Sequence, residues 1–304
     1  MIFAPFTEMA GNGGGKIMTG KLVLCATPIG NLGDMTPRVV QALKDADLIA
    51  AEDTRNSIRL LNHFDIHTPM TAYHENNRYD KGRELVSKMQ QGTVVALITD
   101  AGTPGISDPG EELVRMCCEA GIPVTSLPGS AACITALTVS GLPTRRFIFE
   151  AFLPMDKKER RNRLEEMAKE TVTIVLYEAP HRLRRTLGEL REALGSDRKI
   201  ALCRELTKIH EEIRRTTLEE ACHYYEEKDP KGEYVLVIAG RNPEDAAREE
   251  QKTWESISVA EHVQRYIDQG MDRKEAMKAA ARDRGVGRRE IYAELEKDKH
   301  QDEE

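Results

Sequence analysis

Three glycine-rich turns each follow directly on a short apolar run, and this repeated pairing constrains the chain more than any other feature. The first is Thr27-Pro28-Ile29-Gly30-Asn31-Leu32-Gly33-Asp34, after the run Lys21–Thr27. The second spans Asp100–Gly110 (DAGTPGISDPG) after Thr93–Thr99, and the third is Pro128-Gly129-Ser130-Ala131-Ala132 after Ile122–Leu127. Leu48–Ala51 is a further apolar run, and amphipathic stretches alternate with all of these. Short strands alternating with helices predict a parallel, doubly wound α/β sheet. In such a sheet, turns at the strands' C-terminal ends converge on one rim, where ligands bind. Glycine lets backbone approach a ligand closely and proline stiffens the loop.

The pattern breaks at Gly141-Leu142-Pro143-Thr144, which predicts a domain boundary. Beyond it, strands are expected near 172–177, 199–203 and 233–239, with longer polar helices between them, so a mixed α+β domain should follow the first. The expected organisation is a flexible leader over 1–20, an α/β domain over 21–141 and an α+β domain over 142–240. A charged linker over 241–257 and a helical tail over 258–304 complete it. The tail reads as three short helices with turns at Gly270 and Gly285-Val286-Gly287, either a helix-turn-helix-like module or a cap on the second domain or on a partner subunit.

Composition narrows the function. The 304 residues carry a net charge of −7, which argues against indiscriminate nucleic-acid binding. Arg145–Arg215 nevertheless holds 18 basic against 13 acidic residues, so one face could dock on RNA or could simply be solvated helices laced with ion pairs. No apolar run approaches the roughly 20 residues that span a bilayer, and the N-terminal segment lacks the pattern of a secretory signal, so a cytoplasmic protein is expected. The six cysteines form no C-x-x-C pair, His63 and His67 lack a third ligand, and no metal site is expected. The first glycine turn fails the G-x-G-x-x-G dinucleotide pattern, and Gly15–Lys21 fails the P-loop pattern at Leu22.

The motifs TPIGNLGD, DAGTPGISDPG and PGSAA resemble those of the tetrapyrrole methylase superfamily. AEDTR (Ala51–Arg55), YHENN (Tyr73–Asn77), LYEAPHR (Leu176–Arg182), CRELTKIHEE (Cys203–Glu212) and GEYVLVI (Gly232–Ile238) resemble, more narrowly, the ribosomal RNA small subunit methyltransferase I family. The resemblance runs in order from about Lys21 to Leu295, and the leader has no part in it. It implies a two-domain tetrapyrrole-methylase-like fold, commonly homodimeric, with S-adenosylmethionine in the cleft between domains. It also implies 2′-O-methylation of a cytidine in the decoding region of 16S rRNA.

Carried over by position, the resemblance puts the cofactor against Pro28, Gly102, Thr103, Ile106, Ser130 and Ala131, with Tyr177, Glu178, Ala179, Glu233 and Tyr234 closing from the second domain. A ribose hydroxyl needs a base or a stabilising cation before it can attack. Glu52, Asp53, His74, Glu178, His181, Glu205 and His210 have suitable chemistry, with Glu178 or His181 preferred for proton removal. Asp53 could equally cap the helix after it, and His181 could serve a helix start. Asp53, Arg55, His74, Arg182, Arg204 and Lys208 are the expected RNA contacts, with Arg78 a further candidate, and the cations among them could equally meet the cofactor's carboxylate. Aromatics are only 5% of the chain, which suits recognition of folded RNA by shape and phosphate better than a base-stacking platform. Methylation of a corrin or porphyrin precursor, and a non-catalytic ribosome-binding role, are the alternatives left open.

Overall fold

The computed structural model describes residues 20–242, 244, 254 and 257–301. Of the expected leader over 1–20, residues 1–19 lie outside the described residues, as does most of the expected linker over 241–257.

Strands β1 (Lys21–Cys25), β2 (Leu48–Ala51), β3 (Met70–Ala72), β4 (Val94–Ile98) and β5 (Val124–Leu127) form an all-parallel sheet in the order β3-β2-β4-β1-β5. Helices α1 (Pro37–Asp45), α2 (Thr54–His63), α3 (Arg78–Gln90), α4 (Gly110–Glu119) and α5 (Ala132–Val139) connect and follow them. The starts of α1 and α2 are written locally: Thr36 caps α1 ahead of Pro37, and Asp53 accepts the Arg55 amide at the head of α2.

Val39 and Leu43 of α1, with Leu61 of α2, cover one face of the sheet. Leu85 and Met89 of α3, with Leu113 and Cys117 of α4, cover the other. Adjacent strands β1 and β4 therefore send their following helices to opposite faces. That divergence is the topological switch point of a doubly wound sheet, where a crevice opens at the strand ends.

The second sheet has the order β6-β7-β10-β8-β9, with β6 (Phe147–Ala151), β7 (Thr173–Glu178), β8 (Lys199–Arg204), β9 (Glu212–Thr217) and β10 (Tyr234–Ile238). Only the β6–β7 pairing is parallel, so the sheet is mixed. Helices α6 (Lys157–Lys169), α7 (Pro180–Leu194) and α8 (Leu218–Glu227) bury Leu164, Leu183, Leu187 and Leu218 against its one face. The alternate residues, Val175, Cys203, Val235 and Val237, pack against Cys133, Ala136 and Leu137 of α5. Period-2 alternation thus gives the second sheet an apolar seam with α5, the helix that follows the first sheet. Strands β3, β6 and β9 go beyond the sequence expectation.

The tail forms three helices, α9 (Val259–Asp268), α10 (Arg273–Asp283) and α11 (Arg288–Gln301), around its own small core of Val263, Ala276, Met277, Ala280 and Ile291.

Candidate active site

A cleft of about 460 Å³ opens where the β1 and β4 turns meet the ends of β7, β8 and β10. Its floor and walls are largely apolar, from Ile29, Ala131, Ala132, Phe152, Leu206 and Val235. The first two glycine turns are stitched together across its base. The Thr27 amide donates to the Gly102 carbonyl at 2.9 Å, and the Gly102 amide donates back to Thr27 at 3.1 Å. The Thr27 hydroxyl donates to the Thr99 carbonyl, and that of Thr103 donates to the Ser130 carbonyl at 2.9 Å, drawing in the third turn. Gly102 holds φ +87°, a conformation that favours glycine.

Asp108 is the buttress of the second turn. Its carboxylate accepts the amides of Gly105, Ile106 and Gly110 at 2.8–3.1 Å, which fixes Ile106 at the cleft wall. The amides of Gly102 and Ile106 are therefore already spent within the protein, and neither is free to bind a ligand.

From the second sheet, Tyr177 accepts the Cys133 amide at 3.2 Å and meets Phe149 and Phe152 edge-on. Lys208 reaches Glu205 and Glu233, each at 2.8 Å. Burial works against its charge, but the two carboxylates outweigh that and raise the ammonium's pKa. Its stem also packs against Gly30, so closely that a Cβ at Gly30 would collide with it. The β1 turn and the β8–β9 loop, one from each sheet, therefore meet beside the cleft.

Two carboxylates stand at the cleft end of the first sheet. Glu52 accepts the Thr99 hydroxyl at 2.5 Å, and Asp100 accepts the Asp53 amide at 3.2 Å. Partial burial, and then the neighbouring Glu52 charge, push the Asp100 carboxyl above its usual range.

Of the residues expected to contact a cofactor, Gly102, Thr103, Ile106, Ala131, Tyr177, Glu178, Ala179, Glu233 and Tyr234 line this cleft. Ser130 borders it through its carbonyl, and Pro28 is not in the lining. Sequence reasoning did not find Ile29, Thr99, Asp100, Phe152, Cys203, Leu206 or Val235 there. Asp100 was legible in principle, as the first residue of the second glycine turn. Phe152, Leu206 and Val235 arrive only through the packing of the second sheet against α5.

The residues preferred for proton removal lie otherwise than expected. Glu178 ends β7 on the helix-facing side, in register with Tyr234 and Arg204, and is 4% exposed. One carboxylate oxygen takes the Ala179 amide at 2.8 Å and pairs with Arg182 at 3.0 Å; the other takes the Thr186 hydroxyl at 2.5 Å. Arg160, itself buried, donates to Thr186 and pairs with Glu189. A carboxylate committed on both oxygens is a poor proton acceptor for a substrate. His181 is exposed at the start of α7 and is absent from the lining.

Among the expected RNA contacts, Asp53 caps α2 and forms a two-pronged pair with exposed Arg55, whose guanidinium holds the Asp53 carboxyl below its ordinary range. His74 is half-buried, is not among the residues lining the cleft, and donates its amide to the Asn77 side-chain oxygen. Arg204 pairs with Glu212. Arg78 pairs with Glu75.

Folding pairs most of the arginines of the basic stretch 145–215. Arg160, Arg163, Arg182, Arg185 and Arg204 pair within it, and Arg184, Arg191 and Lys208 draw on Asp229, Glu219 and Glu233 beyond its end.

The profile of the Tetrapyrrole (Corrin/Porphyrin) Methylases matches residues 21–222. The chain is 48% identical to the ribosomal RNA small subunit methyltransferase I of Synechocystis sp., over 92% of this chain and 99% of that one. It is 49% identical to the protein of the same name from Halalkalibacterium halodurans, over 90% and 93%. The chain belongs to the ribosomal RNA small subunit methyltransferase I family. The fold is shared more widely. Uroporphyrin-III C-methyl transferase from Thermus thermophilus, complexed with S-adenyl homocysteine, aligns with a TM-score of 0.52 at 18% identity, over 72% of this chain and 97% of that chain. Among the described residues of this family member, no helix is long and apolar enough to cross a membrane, and no His/Cys/Asp/Glu group of three or more could hold a metal.

Proposed function

We propose that the chain methylates the ribose 2′-hydroxyl of a cytidine in the decoding region of 16S rRNA, with S-adenosylmethionine as donor. The observation that carries this reading is the cleft: an apolar slot with a carboxylate pair at one end, in a chain whose relatives bear the name small subunit methyltransferase I. Its volume falls within the ~300–1,000 Å³ of small-molecule sites. A donor with an adenine ring and a sulfonium centre asks for apolar walls and few cations. Ile29, Ala131, Leu206 and Val235 provide the walls, and the charge of Lys208 is balanced by Glu205 and Glu233. When bound, the donor supplies an electrophilic methyl group.

The protein's own part is alignment and proton handling. Thr103, Ile106, Ser130 and Ala131 would fix the donor from the first domain; Tyr177, Ala179, Glu233 and Tyr234 would fix it from the second. Holding acceptor oxygen and methyl in line supplies much of the acceleration. Asp100, with its raised pKa, is the group suited to accept the hydroxyl proton, and Glu52 beside it strengthens its basicity. Glu178 holds the Ala179-Pro180 wall through the Ala179 amide. Exposed Arg55 would meet RNA phosphate at the rim. We further infer a homodimer acting in the cytoplasm, where small subunits are found; light scattering of the purified protein tests the association.

The deciding experiment supplies labelled S-adenosylmethionine and small ribosomal subunits from a strain lacking the gene. Label should appear in 16S rRNA and, after nuclease digestion, in 2′-O-methylcytidine. Label entering a porphyrin extract and never the subunit would overturn the reading.

A further inference from the structure

Most cations of the tail line up on its last two helices. Lys274, Lys278 and Arg282 recur at every fourth residue of α10, a single row along the helix. Ala276, Met277, Ala280 and Ala281 form the buried face of that helix. Arg288 and Arg289 open α11 immediately after the turn Gly285-Val286-Gly287, and Tyr292 stands one turn further along, 57% exposed.

Of this row only Arg282 meets a carboxylate among the described residues, its neighbour Asp283 at 3.4 Å, and the other local acids are engaged elsewhere. Asp272 caps α10 by accepting the Glu275 amide, and Glu290 accepts the Gly287 amide. Asp283 turns inward to Tyr266 and His262. Arg284 is also drawn inward, to His262 and to the Ile257 carbonyl. Arg273, Lys274, Lys278, Arg288 and Arg289 are exposed and have no carboxylate partner among the described residues. In the stretch 145–215, by contrast, most arginines are paired. A chain of net charge −7 thus keeps a block of unpaired cations on a helical unit with its own core.

We propose that the α10–α11 surface is an RNA-docking face that grips the phosphate backbone of the substrate, with Tyr292 stacking on an unpaired base. Unpaired cations beside an exposed aromatic fit a looped RNA segment better than a duplex. The proposal deepens the ribosomal RNA reading and rests on it for the identity of the partner.

The test measures binding of wild-type full-length protein and of the triple variant Lys274→Glu/Lys278→Glu/Arg289→Glu to small ribosomal subunits across a salt series. Lys274→Gln/Lys278→Gln/Arg289→Gln serves as a milder second variant, and calorimetry with S-adenosylmethionine confirms that the cleft is intact in both. Each lost phosphate contact lowers the log–log salt slope by about 0.7–0.9, so the slope should fall by roughly 2–3, with affinity down about tenfold or more near physiological salt. Equal affinity and equal slope for variant and wild type would overturn the proposal. So would a wild type that does not bind the subunit, or a variant that loses binding only to phosphatidylserine vesicles. Failure of the methylation reading appears separately: the wild type would transfer no methyl group, although the variant still lost RNA binding.

Discussion

At the scale of single residues, Glu178 and Asp100 exchange the roles that the sequence suggests. Glu178 sits in a motif beside the cleft, and nothing in LYEAPHR discloses that its carboxylate faces α7. That orientation follows from the pleat of β7 and from the position of Thr186 two turns along α7, neither of which is local information. Asp100 reads as an ordinary turn residue until β2 brings Glu52 alongside it. The difference is measurable. Glu178→Gln should cost about 2–4 kcal/mol in urea unfolding, because it breaks a buried charged network with Arg182 and Thr186. Asp100→Asn should leave stability and cofactor affinity near wild type and reduce kcat by about 10²–10⁴. If Glu178→Gln abolished turnover without changing stability, Glu178 would be the proton acceptor after all.

At the scale of elements, what could be read depended on how the element is stabilised. Strands β1, β2, β4, β7, β8 and β10 are buried apolar runs and were legible as such. β9 is not: Glu212-Ile213-Arg214-Arg215-Thr216-Thr217 has no apolar run, and it is an edge strand held by pairing with β8. Its charges are used in place, with Arg214 lying over the Tyr224 ring and Arg215 donating to the Val139 carbonyl. The glycine turns were legible as a ligand rim because glycine and proline mark them. The element that shapes the second turn is Asp108, whose function depends on three amides around it. Asp108→Ala should free those amides and loosen the Ile106 wall. The expected cost is about 2–3 kcal/mol in stability, with at least tenfold weaker S-adenosylmethionine binding by calorimetry. Unchanged affinity would show that the turn holds its shape without the buttress.

At the scale of the whole molecule, the question is what the many ion pairs do. The sequence counts an excess of five positive charges over 145–215 and suggests an RNA face there. The fold spends most of those arginines on Glu and Asp partners, some of them far away in sequence, and so leaves that stretch mostly paired. The pairs are largely at the surface, as in Arg161–Glu165, where the side chains are 81% and 57% exposed. Such pairs contribute between zero and about 1 kcal/mol each and are weakened by salt. Stability should instead rest on the apolar seam between α5 and the second sheet and on the cores beneath α1 to α4 and α6 to α8. Raising NaCl from roughly 0.05 to 0.5 M should therefore move Tm by no more than about 4 °C. The KM for small subunits should rise steeply over the same range, because phosphate contacts exchange with counterions. Calorimetric scans and methyl-transfer rates on one salt series would separate the two effects. A Tm that fell by roughly 10 °C or more would show that the ion pairs act together as a stabilising network, and the chain's charge would then serve its fold before its substrate.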